Sequence, residues 1–258
     1  MDASAAVDAG RAAAARLFGC DADEVVLGAS TTALVNNLAA ALRPLWSEGD
    51  EVIVTDVDHE TNIGAWRRLA ETGIVVREWR VREGDSALHL EDLEALLGER
   101  TRLVAFTHCS NIVGSITDVA GAVQLAKAAG ALTCVDAVAY GPHRRIDVRA
   151  LGVDVEFASL YKIYGPHVGA MFIRRELMDR AARTNHYFVP EDSGAYKLEP
   201  GGTCYELAAS LVGVTEYLEG LAQHHGAEPT IDAAYGLIAE QEETLVTPLL
   251  AFLADHPK

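Results

Sequence analysis

The chain has 258 residues, half of them hydrophobic, and a formal net charge of −17. That size suits one large α/β domain, alone or with part of a second, and an acidic surface repels nucleic acid and anionic membranes, which excludes both as partners. Cys20, Cys109, Cys134 and Cys204 make no CxxC pair, no apolar secretory or membrane-spanning stretch is present, and no His/Cys spacing suits a metal, so the expected setting is the cytoplasm with reduced thiols. The basic pairs Arg67-Arg68, Arg144-Arg145 and Arg174-Arg175 are expected on solvated faces or at phosphate or partner contacts.

Residues 3–18 read as an alanine-rich helix. EVVLGAS follows as a short strand ending at Gly28, and Ser30, Thr31 and Thr32 then open a helix with apolar residues at 34, 38, 41 and 42. Hydroxyls there serve as N-caps, or they present an anion site at the helix N-terminus. EVIVTDV (51–57) is a strand ending in Asp58-His59-Glu60-Thr61-Asn62, followed by a helix through Trp66–Ala70 and the strand IVVREWRV. His89–Leu97 is a short amphipathic helix. TRLVAFTHC is strand-like and opens onto Ser110-Asn111. Asp118 caps a helix over Val119–Ala129 that Gly130 closes. LTCVDAV, VEFASL and VGAMFIRR complete seven strand-like runs, with Cys134 expected in the core. Alternation with helices predicts a mainly parallel sheet with helices on both faces. Residues 185–202 read as loop, a helix starts near Glu206, and a long helix over Ile231–Leu253 stops at His256-Pro257.

Polar residues at the strand ends of such a sheet converge on one edge. They are Thr31 and Thr32, His59 and Asn62, Asn111, Asp136, and Ser159 with Lys162. An amine that forms a Schiff base, a carboxylate for a ring N–H⁺, hydroxyls for a phosphate and an imidazole to stack on a ring together meet the needs of pyridoxal phosphate chemistry. Singly, each has a plainer reading as loop, turn or cap residue.

The motifs TTALVNN, DVDHETNIGAW, SNIVGSITDV, VDAVAYGPHRRIDV, ASLYKIYGPHVG and LEPGGTCYELAAS resemble those of fold-type I PLP enzymes. The resemblance is to the class V aminotransferase group, cysteine-desulfurase-like branch, from about residue 23 to about 220. It implies a PLP-transferase large domain over 1–225 that lacks the family's N-terminal segment. Residues 226–258 would be a linker helix leading to a small C-terminal domain that is largely absent. It further implies that Lys162 is the Schiff-base lysine, Asp136 partners the pyridine nitrogen and His59 stacks on the ring. Asn111 would lie near the ring hydroxyl and substrate carboxylate, with Asn62 a second substrate-binding residue. Thr31, Thr32 and Ser159 would hold the phosphate, with Tyr161 beside the lysine in the cofactor site. Gly201-Gly202-Thr203 would reach the phosphate of a neighbouring subunit, which implies a homodimer.

Three departures from the family bear on function. Ala139 stands where relatives carry Gln or His, so that bond to the ring hydroxyl is lost or passes to Asn111 or Tyr140. Tyr161 replaces a His common in desulfurases. No cysteine matches the sulfur-accepting loop, so the chain is a fragment, has changed activity, or is completed by a partner. The leading expectation is a PLP enzyme acting on a sulfur-containing amino acid, by cysteine desulfurase-like or C–S lyase chemistry. Alternatives are an aminotransferase or epimerase of the same family, or a truncated non-catalytic PLP-fold subunit. A nucleotide-binding domain is discounted, since no GxGxxG or GxxxxGK[ST] occurs.

Overall fold

The structure, a computed structural model, describes residues 3–256. In chain order the elements are α1 (Ala3–Phe18), β1 (Val25–Gly28), α2 (Thr31–Leu42), β2 (Glu51–Thr55), α3 (Thr61–Arg67), β3 (Val75–Trp79), α4 (Leu90–Leu96) and β4 (Thr101–Thr107). There follow α5 (Val119–Ala128), β5 (Leu132–Asp136), α6 (Val148–Leu151), β6 (Val155–Ser159), β7 (Gly169–Ile173), α7 (Arg175–Arg180), α8 (Tyr205–His224) and α9 (Ile231–Ala254). All seven expected strands form one sheet, ordered β1-β7-β6-β5-β4-β2-β3. Strands β2 to β6 pair in parallel, whereas β7 is antiparallel to both β6 and β1. Because two antiparallel steps cancel, β1 points the same way as β6, and the C-terminal ends of β1, β6, β5, β4 and β2 share one edge.

The apolar runs form strands because both sheet faces are covered. One cluster packs α1, α5 and α8 against Val104, Phe106, Val135 and Ala158; the other packs α2 and α3 against Val52, Val54, Cys134 and Phe157. Cys134 is core, as expected. Helix α1 lies directly on α8, and a Cβ at Gly10 would run into the carbonyl oxygen of Ala208. Glycine is what allows that approach. Arg11 then reaches across to the buried Glu199 carboxylate at 2.7 and 3.0 Å, and the N–H of Leu27 donates to the same group at 2.8 Å.

The basic pairs make contacts within the chain: Arg67 with Glu78, Arg144 with Glu242, Arg145 with Asp232, Arg174 with Asp154 and Arg175 with Asp23. Segment 185–202 is loop apart from a short 3-10 turn at Gly194–Leu198. Helix α9 buries Ile231, Ala234 and Tyr235 near its start, while Leu245, Leu249, Leu250, Phe252 and Leu253 are exposed. Pro257, expected as its stop, lies outside the described residues. Among those residues no helix is long and apolar enough to cross a membrane.

Candidate active site

The shared sheet edge builds an anion cradle first. Gly28, Gly169 and Ser159 lie in register across β1, β7 and β6. The turn into α2 passes over Gly169 so closely that a Cβ there would sit 2.6 Å from Ser30 C and from Thr31 N. Ser30 caps α2 by accepting from the N–H of Ala33 at 3.1 Å. The N–H groups of Thr31 and Thr32 have no partner among the described residues. Thr31 Oγ1 and Ser159 Oγ are 2.5 Å apart and buried; Thr32 Oγ1 and Thr61 Oγ1 are 2.8 Å apart. Hydroxyls and free N–H groups at the start of a twelve-residue helix favour a phosphate.

These groups open onto a cavity of about 250 Å³, lined also by His59, Asp136, Val138, Tyr161, Lys162 and His167. A small annex adds Thr107, Cys109, Asn111 and Ala139 and shares His59, Asp136 and Lys162. Asp136 ends β5 and is buried, and its Oδ1 accepts from the N–H of Val138 at 2.8 Å. Its Oδ2 has no partner among the described residues. Burial pushes this carboxyl up to about 7, against the pull of the Val138 N–H and the Lys162 charge. Lys162 closes the 3-10 turn after β6 and is exposed, its amine without a partner among the described residues. Just beyond it Tyr164 takes φ +56°, held by donating its hydroxyl to Pro142 O at 2.9 Å. The His59 imidazole is oriented by Thr61, whose N–H donates to Nδ1 at 3.1 Å and whose hydroxyl lies 2.9 Å from it. Tyr161 is half exposed and stacks on His167, centroids 4.5 Å apart.

Of the residues expected from sequence, Thr31, Thr32, His59, Asp136, Ser159, Tyr161, Lys162 and Asn111 therefore gather around one space. Asn62 does not. It is fully buried behind the site, donating to Asp58 at 2.9 Å and to Phe106 O at 3.3 Å and accepting from Trp66 Nε1 at 3.2 Å. Its place beside His59 is taken by Thr61, which nothing in the sequence sets apart from its neighbours in the same DHETN cluster. Gly202 and Thr203 also stand apart, on a second cavity of about 200 Å³ on the other side of His167. Thr203 donates its hydroxyl to Glu199 there at 2.8 Å. At Ala139 the annex is lined by Asn111, whereas the Tyr140 ring stacks on His108 instead.

Among the described residues three sets of groups around this cavity lack a partner: the Asp136 Oδ2, the Lys162 amine and the N–H groups at the start of α2, beside which the paired Thr31 and Ser159 hydroxyls keep further hydrogen-bonding capacity. A ring with a basic nitrogen, an aldehyde and a phosphate complements all three, so the residues fit pyridoxal phosphate. Gly169→Ala is expected to push the α2 N-terminus off the cradle. It should cost about 1–3 kcal/mol in thermal melts and weaken cofactor uptake, read by absorbance titration.

A family model described as aminotransferase class-V matches residues 1–187. The aminotransferase-like protein FGM3 of Gibberella zeae is 39% identical over 95% of this chain, which covers 59% of that protein. The cysteine desulfurase-like protein ustD of Aspergillus flavus is 33% identical over 100% of the chain, covering 58% of ustD. The chain spans about six-tenths of the length of these relatives. The apo cysteine desulfurase from Thermococcus onnurineus NA1 has the same fold, with TM-score 0.84 over 98% of this chain and 63% of that one at 24% identity. So does a C-DES mutant with glycine covalently linked to the PLP cofactor, with TM-score 0.78 over 94% of this chain and 66% of that one at 20% identity. On these matches the chain belongs to the class V aminotransferase family and is similar to cysteine desulfurase-like proteins, among them a fold neighbour that holds PLP.

Proposed function

We propose that this site cleaves the carbon–sulfur bond of a cysteine-like amino acid, with Lys162 as its Schiff-base and proton-transfer residue. The observation behind this reading is the convergence on one cavity of an oxygen of the buried Asp136 carboxylate, an amine and an anion cradle, none of the three fully partnered among the described residues. Bound pyridoxal phosphate supplies an aldehyde for the substrate amine and a ring that takes electrons from the substrate α-carbon. Ser30, Thr31, Thr32 and Ser159 hold the phosphate end. Asp136 offers Oδ2 to the protonated ring nitrogen, and His59, held by Thr61, lies against the ring. Lys162, exposed and unpaired, moves the α-proton at its Nζ. Asn111, at the annex, takes the substrate carboxylate or the ring hydroxyl that Ala139 cannot reach.

The fate of the sulfur turns on whether a thiolate waits at the site. Among the described residues Cys109 is the thiol that lines the annex, and burial pushes its pKa up, which keeps it protonated and a poor nucleophile. Among the described residues that supports β-elimination rather than transfer to Cys109. Water and cysteine then give sulfide, ammonia and pyruvate. The PLP-loaded chain, given cysteine, cystine and cysteine conjugates, is expected to release pyruvate with the sulfur product. Sulfide accompanied by alanine in place of pyruvate would mark desulfuration instead, and turnover of non-sulfur amino acids alone would overturn the reading.

Residues 1–225 act in this proposal as the cofactor-binding domain and 226–258 as a linker helix toward a small domain. The protein is read as cytoplasmic and as a homodimer. The exposed turn Gly201-Gly202, both at positive φ, together with Tyr187 and Phe188, is the surface that supports pairing with a neighbouring subunit.

A further inference from the structure

On the sheet face away from Asp136's side chain lies a buried polar column that the proposed chemistry does not use. Glu156, the second residue of β6, has 0% exposure. Its Oε1 lies 3.2 Å from His108 Nδ1, and its Oε2 has no partner among the described residues. His108 is buried as well, and the Tyr140 ring stacks on its imidazole at 3.6 Å between centroids and 8° between planes. A carboxylate with an unsatisfied oxygen inside a sheet is costly, and an apolar residue would fill that place without the cost.

The column ends at the turn that sets the Asp136 carboxylate. His108 donates its N–H to Asp136 O at 2.9 Å. Tyr140 closes the turn by donating its N–H to Ala137 O at 3.1 Å, and between them Val138 holds Asp136 Oδ1. Thus His108 brackets the turn from both sides, by its backbone at Asp136 and by its ring at Tyr140. Tyr235, from α9, secures the far end through its hydroxyl on Gly141 O at 2.7 Å. Among the described residues the titratable or charged groups around the column are Asp136, Cys109, Cys134, Arg144 and Asp147.

We infer that Glu156, through His108 and the stacked Tyr140 ring, is a positioning residue that aims Asp136 at the cofactor's ring nitrogen. Glu156 fixes the imidazole plane, the imidazole fixes the tyrosine ring, and the ring fixes the turn from which Val138 orients the carboxylate. Burial raises the Glu156 carboxyl and the His108 bond opposes that rise, in keeping with a hydrogen-bonded pair. The inference rests on Asp136 as the ring-nitrogen partner, so the test includes that premise.

Purified protein is stripped of cofactor and titrated with pyridoxal phosphate, following the visible absorbance band and its pH profile alongside thermal melts. Glu156→Leu and Tyr140→Leu are expected to bind about tenfold more weakly and to shift the pH profile of the band. Glu156→Gln keeps an oxygen for His108 and Tyr140→Phe keeps the stack, so both should stay within about twofold of wild type. Tyr140 is half-buried, so its pair of variants tests the column without opening the core. Leucine variants that lose melting temperature but keep wild-type affinity and pH profile would reduce the column to packing and overturn the inference. Glutamine or phenylalanine variants as weak as the leucine ones would overturn it too. A wild-type chain that takes up no pyridoxal phosphate sinks the Asp136 premise and the inference together. Wild-type binding matched by every variant sinks the inference alone.

Discussion

Lys162→Ala is expected to give a chain that still collects pyridoxal phosphate but no longer fixes it on borohydride reduction, with turnover of a sulfur amino acid reduced by at least about 10³-fold. The cradle at Ser30–Thr32 and Ser159 and the free oxygen of Asp136 do not depend on the lysine, so reversible binding persists. What is lost, on the proposed chemistry, is the amine that links to the cofactor and shuttles the proton at the substrate α-carbon. Lys162 is exposed and makes no ion pair or hydrogen bond among the described residues, so the fold should melt at the wild-type temperature. Mass spectrometry of the reduced protein reads the link directly. A cofactor adduct on a peptide other than the one holding Lys162 would refute the assignment.

Asp136→Asn should separate stability from function. In the cofactor-free chain burial holds the folded Asp136 carboxyl at about 7, against 3.8 for the ordinary group. Between those values the folded chain keeps a proton that the unfolded chain has released. Stability of the cofactor-free wild type therefore declines as pH rises through that window and levels off above it. Asparagine removes that slope and makes the stripped chain more stable at pH 8, by roughly 2–4 kcal/mol. It should also ease Asp58, whose carboxyl is raised by its own burial and by the charge of Asp136. With pyridoxal phosphate the order reverses, because the ring's positive charge offsets the wild-type carboxylate and offers asparagine nothing comparable. Paired melts at pH 5 and pH 8, stripped and loaded, measure both halves. A stripped wild type that gains stability relative to Asp136→Asn on going to pH 8 would contradict the account.

The elements were legible in the sequence because each apolar run is bounded by turn residues and each helix has its periodic face. Direction in the sheet was not. β7 reads as one more buried strand, and only the structure shows it reversed between β6 and β1, since a run buried on both faces carries no mark of its polarity. At the site, strand-end residues such as Asp136 were readable from position alone. Asn62 was not, because it sits on helix α3, where each residue turns about 100° from the last. That rotation carries Asn62 inward to Asp58 and Trp66 and leaves Thr61 facing His59. The Glu156–His108–Tyr140 column was invisible for a related reason. Its members are far apart in sequence and meet only through the register of β4, β5 and β6.

The placement of β1 against β7, with α1 laid on α8, also sets an order of assembly. Strand β1 finds its sheet partner only when residues 169–173 have been made, and α1 waits longer still for α8. Contacts of such long sequence separation form late and slowly. The Ser30–Thr32 turn completes its cradle only when it comes to rest over Gly169. Cofactor capture is thus a reporter of finished topology: a nascent or partly folded chain can hold most of its parallel strands and still have nowhere to seat a phosphate.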